Sequence, residues 1–294
     1  MTPPAGRDPG RRKPGRRPAS AAPSRGRGAN RSGAGSDPLF RTSSKGLGGE
    51  QVEGRQAVRE LLVAGRRRTR LVLLAEDLDP APIIDEIVEL AGEARVPVKR
   101  IGRAALDAQA RSEAPQGVLA HAAPLVEADL DALCRRLVHG RPPFLLALDG
   151  ITDPQNVGAL LRTADCAGVS GVVLPRHRAA HISPTAAKAA AGAVEHLDIA
   201  LVGGLPAALN RVRELGVWVV GLDEGGDTTL YDLAVADQPV LLVLGAEGSG
   251  LSRLTRARCD VVASIPLQGH LPSLNVAAAG ALACFEVARR RRPA

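Results

Sequence analysis

The chain has 294 residues, which is enough for two modest domains that each bury a core. Its formal net charge is +7, but residues 1–46 hold eleven basic and two acidic residues, whereas the rest of the chain holds 27 basic and 29 acidic residues. The high isoelectric point therefore belongs to the N-terminal segment. The sequence has no run of the roughly 18 to 20 apolar residues that a transmembrane helix needs, which argues against a membrane protein.

Residues 1–46 combine the basic runs RRKPGRRP and RGRGANR with many Gly, Pro and Ser residues. A segment of this composition cannot bury enough apolar surface to offset its ordering entropy, so we expect a disordered basic tail. Basic residues at this density favour a salt-sensitive contact with phosphate backbones. A merely solubilising extension is the alternative.

The four cysteines are Cys134, Cys166, Cys259 and Cys284. They form no C-x-x-C pair and have no histidines at the spacing of a zinc site, which argues against a bound metal and against a disulfide framework. The N-terminal charges are also not followed by the apolar segment of a signal peptide. The sequence therefore predicts a reduced, cytoplasmic protein.

Helix and strand patterns alternate in a first block, residues 47–125. Spaced apolar residues predict helices there, and short runs rich in Val, Leu and Ile predict strands. The predicted order is helix 52–65, strand 70–76, helix 80–94, strand 96–102 and strand 116–125. We expect a small α/β domain here, followed by a linker, residues 126–143, with a helix over 126–140.

The second block, residues 144–294, contains six strongly apolar segments with helical patterns between them. Continuous apolar runs are typical of parallel strands that are buried on both faces of a sheet. The predicted strands are 144–150, 169–175, 197–202, 217–223, 239–245 and 260–266. The predicted fold class is α/β, with a Rossmann-like parallel sheet in this block.

The glycine pattern of the second block differs from the dinucleotide fingerprint. That fingerprint is G-x-G-x-x-G after the first strand. Here Gly245, Gly248 and Gly250 have the reverse spacing and follow a late strand, and no G-K-[ST] phosphate loop occurs. Glycines in such a turn still allow a ligand to approach the backbone closely.

Three segments place polar residues where a strand runs into a helix: Asp149 to Gly168, Leu242 to Ser252 and Ile265 to Ala288. In the last segment, Ser273 and Asn275 stand at the predicted start of a helix, whose free N–H groups can bind a ligand. By itself, Ser273 fits an N-cap residue that accepts a hydrogen bond from the first turn.

In order and spacing, the three segments resemble the motifs of the SpoU (TrmH) family of RNA ribose 2′-O-methyltransferases, over roughly residues 142–294. This family is of the SPOUT type, so the resemblance implies a C-terminal trefoil knot, which physical reasoning alone would not predict. It also implies S-adenosyl-L-methionine as cofactor and RNA as partner. It further implies a homodimer whose active sites borrow groups from the partner subunit.

The resemblance also assigns site residues. The catalytic residues that it implies are Asn156, Arg162, Glu247, Ser273 and Asn275. The cofactor-binding residues that it implies are Leu244, Gly245, Gly250, Ile265, Leu267 and Leu274. In such a pocket, backbone groups would read the adenine edge and apolar side chains would shape the walls.

Arg162 is the expected residue at the reacting centre. A guanidinium stays protonated in proteins, so we expect it to grip the target phosphate with two hydrogen bonds and to stabilise the developing alkoxide, not to act as a base. The other catalytic residues would orient the ribose and Arg162. On residue type alone, Arg162 would be one more solvated helix arginine.

The first block and the segment HISPTAAKAAAGAVEHL, residues 181–197, resemble the branch of the family that methylates a guanosine of 23S rRNA. In that branch the first block is a ribosomal-protein-like substrate-binding domain. A tRNA ribose methyltransferase, or an rRNA methyltransferase that confers antibiotic resistance, is the alternative within the family. A non-catalytic RNA-binding assembly factor is the alternative of another class, and the complete catalytic set argues against it.

Overall fold

The structure is a computed structural model of the chain, and it describes residues 46–176 and 182–292. The predicted basic tail, residues 1–46, lies outside the described residues except for Gly46. The described residues form one sheet of four strands and one sheet of seven. In this part of the chain no helix is long and apolar enough to cross a membrane.

The first sheet contains β1 (Gln51–Glu53), β2 (Thr69–Ala75), β3 (Val98–Ile101) and β4 (Val118–Ala122), in the order β1, β4, β2, β3. Strand β4 is antiparallel to β1 and β2, whereas β2 and β3 are parallel. Helices α1 (Arg55–Ala64) and α2 (Pro82–Glu93) share a buried core with one face of the sheet. Helix α3 (Arg103–Asp107) covers the other face through Leu106.

The start of this first block differs from the sequence prediction. The predicted helix 52–65 begins only at Arg55, and the residues before it form β1. Gly54 has φ +96°, a conformation that L side chains rarely adopt, and this residue separates the strand from the helix. A three-residue strand has too few positions to show a period of two, so its pattern was read as part of the helix.

The linker contains a much shorter helix than expected. Helix α4 covers Leu130–Arg135, whereas the prediction was 126–140. The side chain of Asp129 accepts a hydrogen bond from the Ala132 amide and so fixes the first turn. At Arg136 the backbone is extended, with ψ 122°, and Val138 pairs with Arg141 in a tight turn.

The second sheet contains β5 (Phe144–Asp149), β6 (Gly171–Pro175), β7 (Ile199–Val202), β8 (Trp218–Leu222), β9 (Thr228–Thr229), β10 (Val240–Gly245) and β11 (Val261–Ser264). The spatial order is β7, β6, β5, β10, β8, β11, β9, and every neighbouring pair is parallel. The six predicted strands and the α/β class are confirmed. The two-residue strand β9 was missed because its segment carries no apolar run.

Helices cover both faces of this sheet, which explains why its longer strands are mostly apolar. One face packs against α5 (Pro154–Cys166), α6 (Pro184–Ala189) and α9 (Val276–Arg290). The other face packs against α4 and α7 (Leu205–Glu214). A short helix, α8 (Arg253–Arg256), follows β10. Along β5, Leu146 and Leu148 belong to the first core, and Leu145 and Ala147 to the second.

A buried ion pair joins the two sheet-containing parts of the chain. Arg67, which precedes β2, donates from Nε and Nη2 to the two carboxylate oxygens of Glu195, at 2.8 and 2.6 Å. The exposed fractions of the two side chains are 4% and 1%. Arg67 also donates to the carbonyl oxygens of Gly49 and Ala123. Both charges are therefore fully paired inside the interface.

The end of α9 is fixed by Arg291. Its guanidinium donates to the carbonyl oxygens of Ala236 and Pro142, at 2.8 and 2.9 Å, and lies 5.0 Å from the ring centre of Phe144. Burial lowers the pKa of Arg291 to about 10, so the group is still charged at neutral pH. The last helix is thus attached to the linker end and to the segment before β10.

Candidate active site

The strand ends that carry the polar segments meet at one edge of the second sheet. Strands β5, β10, β8 and β11 are neighbours in this order and are parallel, so their carboxyl ends lie side by side. A cavity of about 620 Å³ opens there. Its walls are Leu222 to Glu224, Leu244 to Gly250, Ile265, Leu267, Pro272 to Val276 and Ala279.

The glycine-rich loop after β10 folds back tightly onto its own strand. A Cβ atom on Gly245 would lie 2.2 Å from the carbonyl carbon of Gly250, which real side chains do not tolerate. The Gly250 amide donates to the Ala246 carbonyl at 2.9 Å. On the far side of the loop, the Ser252 amide donates to the Asp149 carboxylate at 2.8 Å. Glycine at 245 is therefore required for the shape of this cavity wall.

Three of the five predicted catalytic residues are joined by hydrogen bonds. The Asn275 side-chain amide donates to Asn156 Oδ1 at 3.0 Å and to Glu247 Oε1 at 2.5 Å. The Val276 amide, at the start of α9, also donates to Glu247 Oε1 at 3.4 Å. The positive end of the helix dipole favours a carboxylate at this point. The network connects α5, the glycine-rich loop and α9 at the cavity rim.

Asn275, and not Ser273, is the N-cap of the last helix. Its Oδ1 accepts from the amides of Ala277 and Ala278, at 2.9 and 3.3 Å. The N-cap interpretation of Ser273 is therefore wrong. Ser273 is exposed, lies two residues before the cap and lines the cavity. Glu247 and Asn275 line the same cavity.

Arg162 lies outside this hydrogen-bonded group. It is on α5, six residues after Asn156, and its side chain is exposed. It does not line the cavity, and it makes no hydrogen bond or ion pair with any of the described residues. An exposed guanidinium without a partner among the described residues is free to bind an anionic ligand from solution.

All six predicted cofactor-binding residues line the cavity: Leu244, Gly245, Gly250, Ile265, Leu267 and Leu274. Leu244 is buried, whereas Leu267 and Leu274 are exposed apolar side chains. The volume is within the range of roughly 300 to 1,000 Å³ that small-molecule sites occupy. Apolar walls with exposed backbone groups suit a flat heterocycle such as adenine.

Asp223 and Glu224, which follow β8, also line the cavity, although the sequence did not predict them as site residues. Asp223 forms an ion pair with Arg256 at 2.5 Å and accepts from the Gly225 amide at 3.1 Å. The only sequence signal was the acidic pair at the end of an apolar strand. Its relevance depends on β8 lying between β10 and β11, which is a non-local property of the sheet.

Within residues 46–176 and 182–292, no group of three or more His, Cys, Asp or Glu side chains is placed to hold a metal ion. The four cysteines are free thiols. Burial raises the pKa of Cys284 to about 12 and that of Cys259 to about 11, so both stay protonated at neutral pH.

Two family models match the chain, and curated relatives are similar to it over most of its length. The family model of SpoU rRNA methylases matches residues 143–285. A second family model, described as RNA 2′-O ribose methyltransferase substrate binding, matches residues 51–128. The 23S rRNA (guanosine-2′-O-)-methyltransferase RlmB of Pseudomonas aeruginosa is 41% identical over 247 residues, covering 83% of this chain and 98% of that relative. A Bacillus subtilis protein described under the TrmH family of tRNA/rRNA methyltransferases is 35% identical, covering 83% and 97%.

Among solved structures, the SpoU methyltransferase AviRb of Streptomyces viridochromogenes, in complex with the cofactor AdoMet, is similar with a TM-score of 0.68 at 26% identity. The likeness covers 82% of this chain and 90% of AviRb. A TrmH-family RNA methyltransferase structure from Porphyromonas gingivalis has a TM-score of 0.66 at 28% identity, covering 82% and 89%. The chain therefore belongs to the SpoU family of RNA methyltransferases.

Proposed function

We propose that the protein transfers a methyl group from S-adenosyl-L-methionine to the ribose 2′-oxygen of a guanosine in 23S rRNA. The observation that carries the proposal is the hydrogen-bonded set Asn156, Glu247 and Asn275 at the rim of the cavity. The relative with 41% identity over nearly its whole length supports guanosine in 23S rRNA as the target.

The cavity fits this cofactor in shape and in chemistry. At Gly245 and Gly250 the cavity wall is backbone. The two residues pack so closely that a side chain at Gly245 would collide with the loop. Leu244, Ile265 and Leu274 supply apolar walls. When bound, S-adenosyl-L-methionine supplies an electrophilic methyl group on a sulfonium centre.

Catalysis is then largely a matter of positioning. The 2′-hydroxyl would give up its proton through a phosphate oxygen of the target nucleotide, acting as a relay, as the 2′-oxygen bonds to the methyl carbon. The bound cofactor would supply the leaving group, a neutral thioether that keeps the electron pair of the S–C bond. Arg162 holds the phosphate with its planar fork and stabilises the developing alkoxide. Ser273 and the hydrogen-bonded asparagines orient the ribose.

We also propose that the C-terminal segment is knotted as in other SPOUT proteins. The strand order supports this, because β9 lies one place away from β8 and the later strand β11 fills the gap between them. After β11, the chain returns so that α9 packs on α5, where Gly280 lies against Leu160. An experimental structure in which this segment passes through no loop would contradict the knot.

A homodimer is the proposed assembly. Helix α9 exposes Ala278, Leu282, Phe285 and Arg289 along one face, although its opposite face is buried. Leu282 and Phe285 are 43% and 48% exposed, an unusual state for large apolar side chains on a helix that is otherwise packed. A monomer at micromolar concentration in sedimentation equilibrium would contradict the assembly.

The four free cysteines fit a reducing compartment, so we place the protein in the cytoplasm. We further propose that residues 47–125 bind the RNA, because the substrate-binding family model matches residues 51–128. Residues 126–143 would then act as the linker to the methyltransferase domain, residues 144–294. Secretion of the untagged protein from its own host would contradict the cytoplasmic placement.

Deletion of residues 1–46 is expected to leave the fold and cofactor affinity intact and to weaken RNA binding, most at low salt. This segment holds eleven basic and two acidic residues, so it is expected to attract the phosphates of the RNA. Each lost phosphate contact should lower the slope of log affinity against log salt by a little under one unit. Filter binding across a salt series measures this slope, and an equal slope for both proteins would show that the tail does not hold RNA.

Replacement of Gly245 by alanine is expected to weaken S-adenosyl-L-methionine binding by at least about tenfold, because the loop that forms the cavity wall must move. Calorimetry gives the dissociation constant. Gly203→Ala is the matched control, since a Cβ atom there meets nothing within 4 Å. Unchanged affinity in Gly245→Ala would mean that this wall does not contact the cofactor.

Mapping of ribose methylation in cells tests the proposed function. We expect one 2′-O-methylguanosine in 23S rRNA to disappear when the gene is deleted and to return with the wild-type gene but not with an Arg162→Ala gene. Loss of a tRNA methyl group instead would assign the activity to tRNA. No change in either RNA would contradict the proposal.

A further inference from the structure

The ionisable side chains that line the cofactor cavity all carry negative charge when ionised. Three ionisable side chains line it, namely Asp223, Glu224 and Glu247, and all three are acidic. No Lys, Arg or His is among its lining residues in the described part of the chain. Asp223 and Glu224 follow β8, which ends at Leu222. Strand β8 lies between β10 and β11, and the loops after these two strands line the cavity.

Two of the three carboxylates already have partners. Asp223 is paired with Arg256 and accepts from the Gly225 amide. Glu247 accepts from the Asn275 side chain and the Val276 amide. Glu224 is exposed to the cavity and makes no hydrogen bond or ion pair with any residue that the structure describes. Its negative charge is therefore available to a ligand.

Methyl transfer changes the charge of the ligand in this cavity. S-adenosyl-L-methionine carries a sulfonium cation, whereas the product, S-adenosyl-L-homocysteine, has a neutral thioether and is otherwise the same molecule. A carboxylate near the sulfur attracts the first and not the second. A hydrogen bond to the ribose, the adenine or the amino acid end would instead act on both molecules equally.

We propose that Glu224 makes this cavity select the charged cofactor over the neutral product, and so assists product release. The inference rests on the proposed function only in taking S-adenosyl-L-methionine as the ligand. Glu224 acts as a specificity-determining residue through its charge. For unit charges several ångströms apart in a partly solvated site, the expected contribution is about three- to tenfold in affinity.

The test is calorimetry on the full-length protein with S-adenosyl-L-methionine, S-adenosyl-L-homocysteine and sinefungin, in which an ammonium-bearing carbon replaces the sulfonium. Glu224→Gln should weaken binding of both cationic ligands by about three- to tenfold and should change that of S-adenosyl-L-homocysteine by less than about twofold. Added salt should reduce the difference between wild type and variant. Glu93→Gln, which removes an equal charge at the exposed end of α2, is the control and should change none of the three.

Two results would overturn the inference. Equal weakening of all three ligands would show that Glu224 binds a group they share. Unchanged affinities in Glu224→Gln would show that its charge does not reach the ligand. A wild-type protein that binds none of the three would contradict the proposed function instead, and the two failures are therefore distinguishable.

Discussion

Replacement of Arg162 by alanine is expected to slow methyl transfer roughly 100- to 1,000-fold, because one preorganised contact to the developing charge is lost. The affinity for S-adenosyl-L-methionine and the melting temperature should stay close to those of the wild type. Arg162 is exposed, does not line the cavity and has no partner among the described residues, so neither the fold nor the cofactor depends on it. Single-turnover rates at saturating RNA measure the effect.

Arg162→Lys separates two roles for this side chain. Lysine keeps the positive charge but loses the planar fork, so a bidentate phosphate contact predicts that the variant fails almost as badly as alanine. Arg258→Ala, at an exposed position just after α8 and outside the cavity lining, is the control and should react at the wild-type rate. Near-normal rates for Arg162→Ala would show that Arg162 is an ordinary solvent-exposed arginine of α5 with no role in methyl transfer.

Replacement of Arg67 by alanine is expected to reduce the free energy of unfolding by about 3 to 5 kcal/mol, since Glu195 would remain as a buried charge without its partner. The two side chains are only 4% and 1% exposed. The guanidinium also satisfies the carbonyl oxygens of Gly49 and Ala123, so the substitution removes their hydrogen bonds as well. Urea denaturation followed by circular dichroism gives the free energy.

The neighbouring residue provides a matched control. Arg66 pairs with Asp198 across the same interface, but the two side chains are 46% and 21% exposed. Solvent screens such pairs, so Arg66→Ala should cost less than about 1 kcal/mol. Equal losses for the two variants, or a loss below about 1 kcal/mol for Arg67→Ala, would contradict the importance of the buried pair.

The main strands of the second sheet were predictable because a strand that is buried on both faces is a continuous apolar run in the sequence. FLLAL and VLLVLG are unbroken apolar runs, and they lie in β5 and β10. The motif resemblance was equally informative for the cavity, since all six residues that it implied for the cofactor line the wall. Both kinds of information are carried by short stretches of chain.

The features that sequence reasoning missed are non-local or very short. The order of the strands decides that Asp223 and Glu224 reach the cavity, and no local pattern encodes that order. The contact of Arg67 with Glu195 spans 128 positions and leaves no periodic signal. Ser273, taken by itself, fits an N-cap, but the cap is Asn275, because helix boundaries are uncertain by one or two residues.

In vitro methylation with purified protein tests the central claim most directly. Full-length protein, S-adenosyl-L-methionine labelled in the methyl group and unmodified 23S rRNA are incubated, and the RNA is digested to nucleosides for mass spectrometry. We predict label in 2′-O-methylguanosine, and labelling roughly 100- to 1,000-fold slower when Arg162→Ala replaces the wild type. Label in a methylated base, or no label in any RNA despite bound cofactor, would contradict the account.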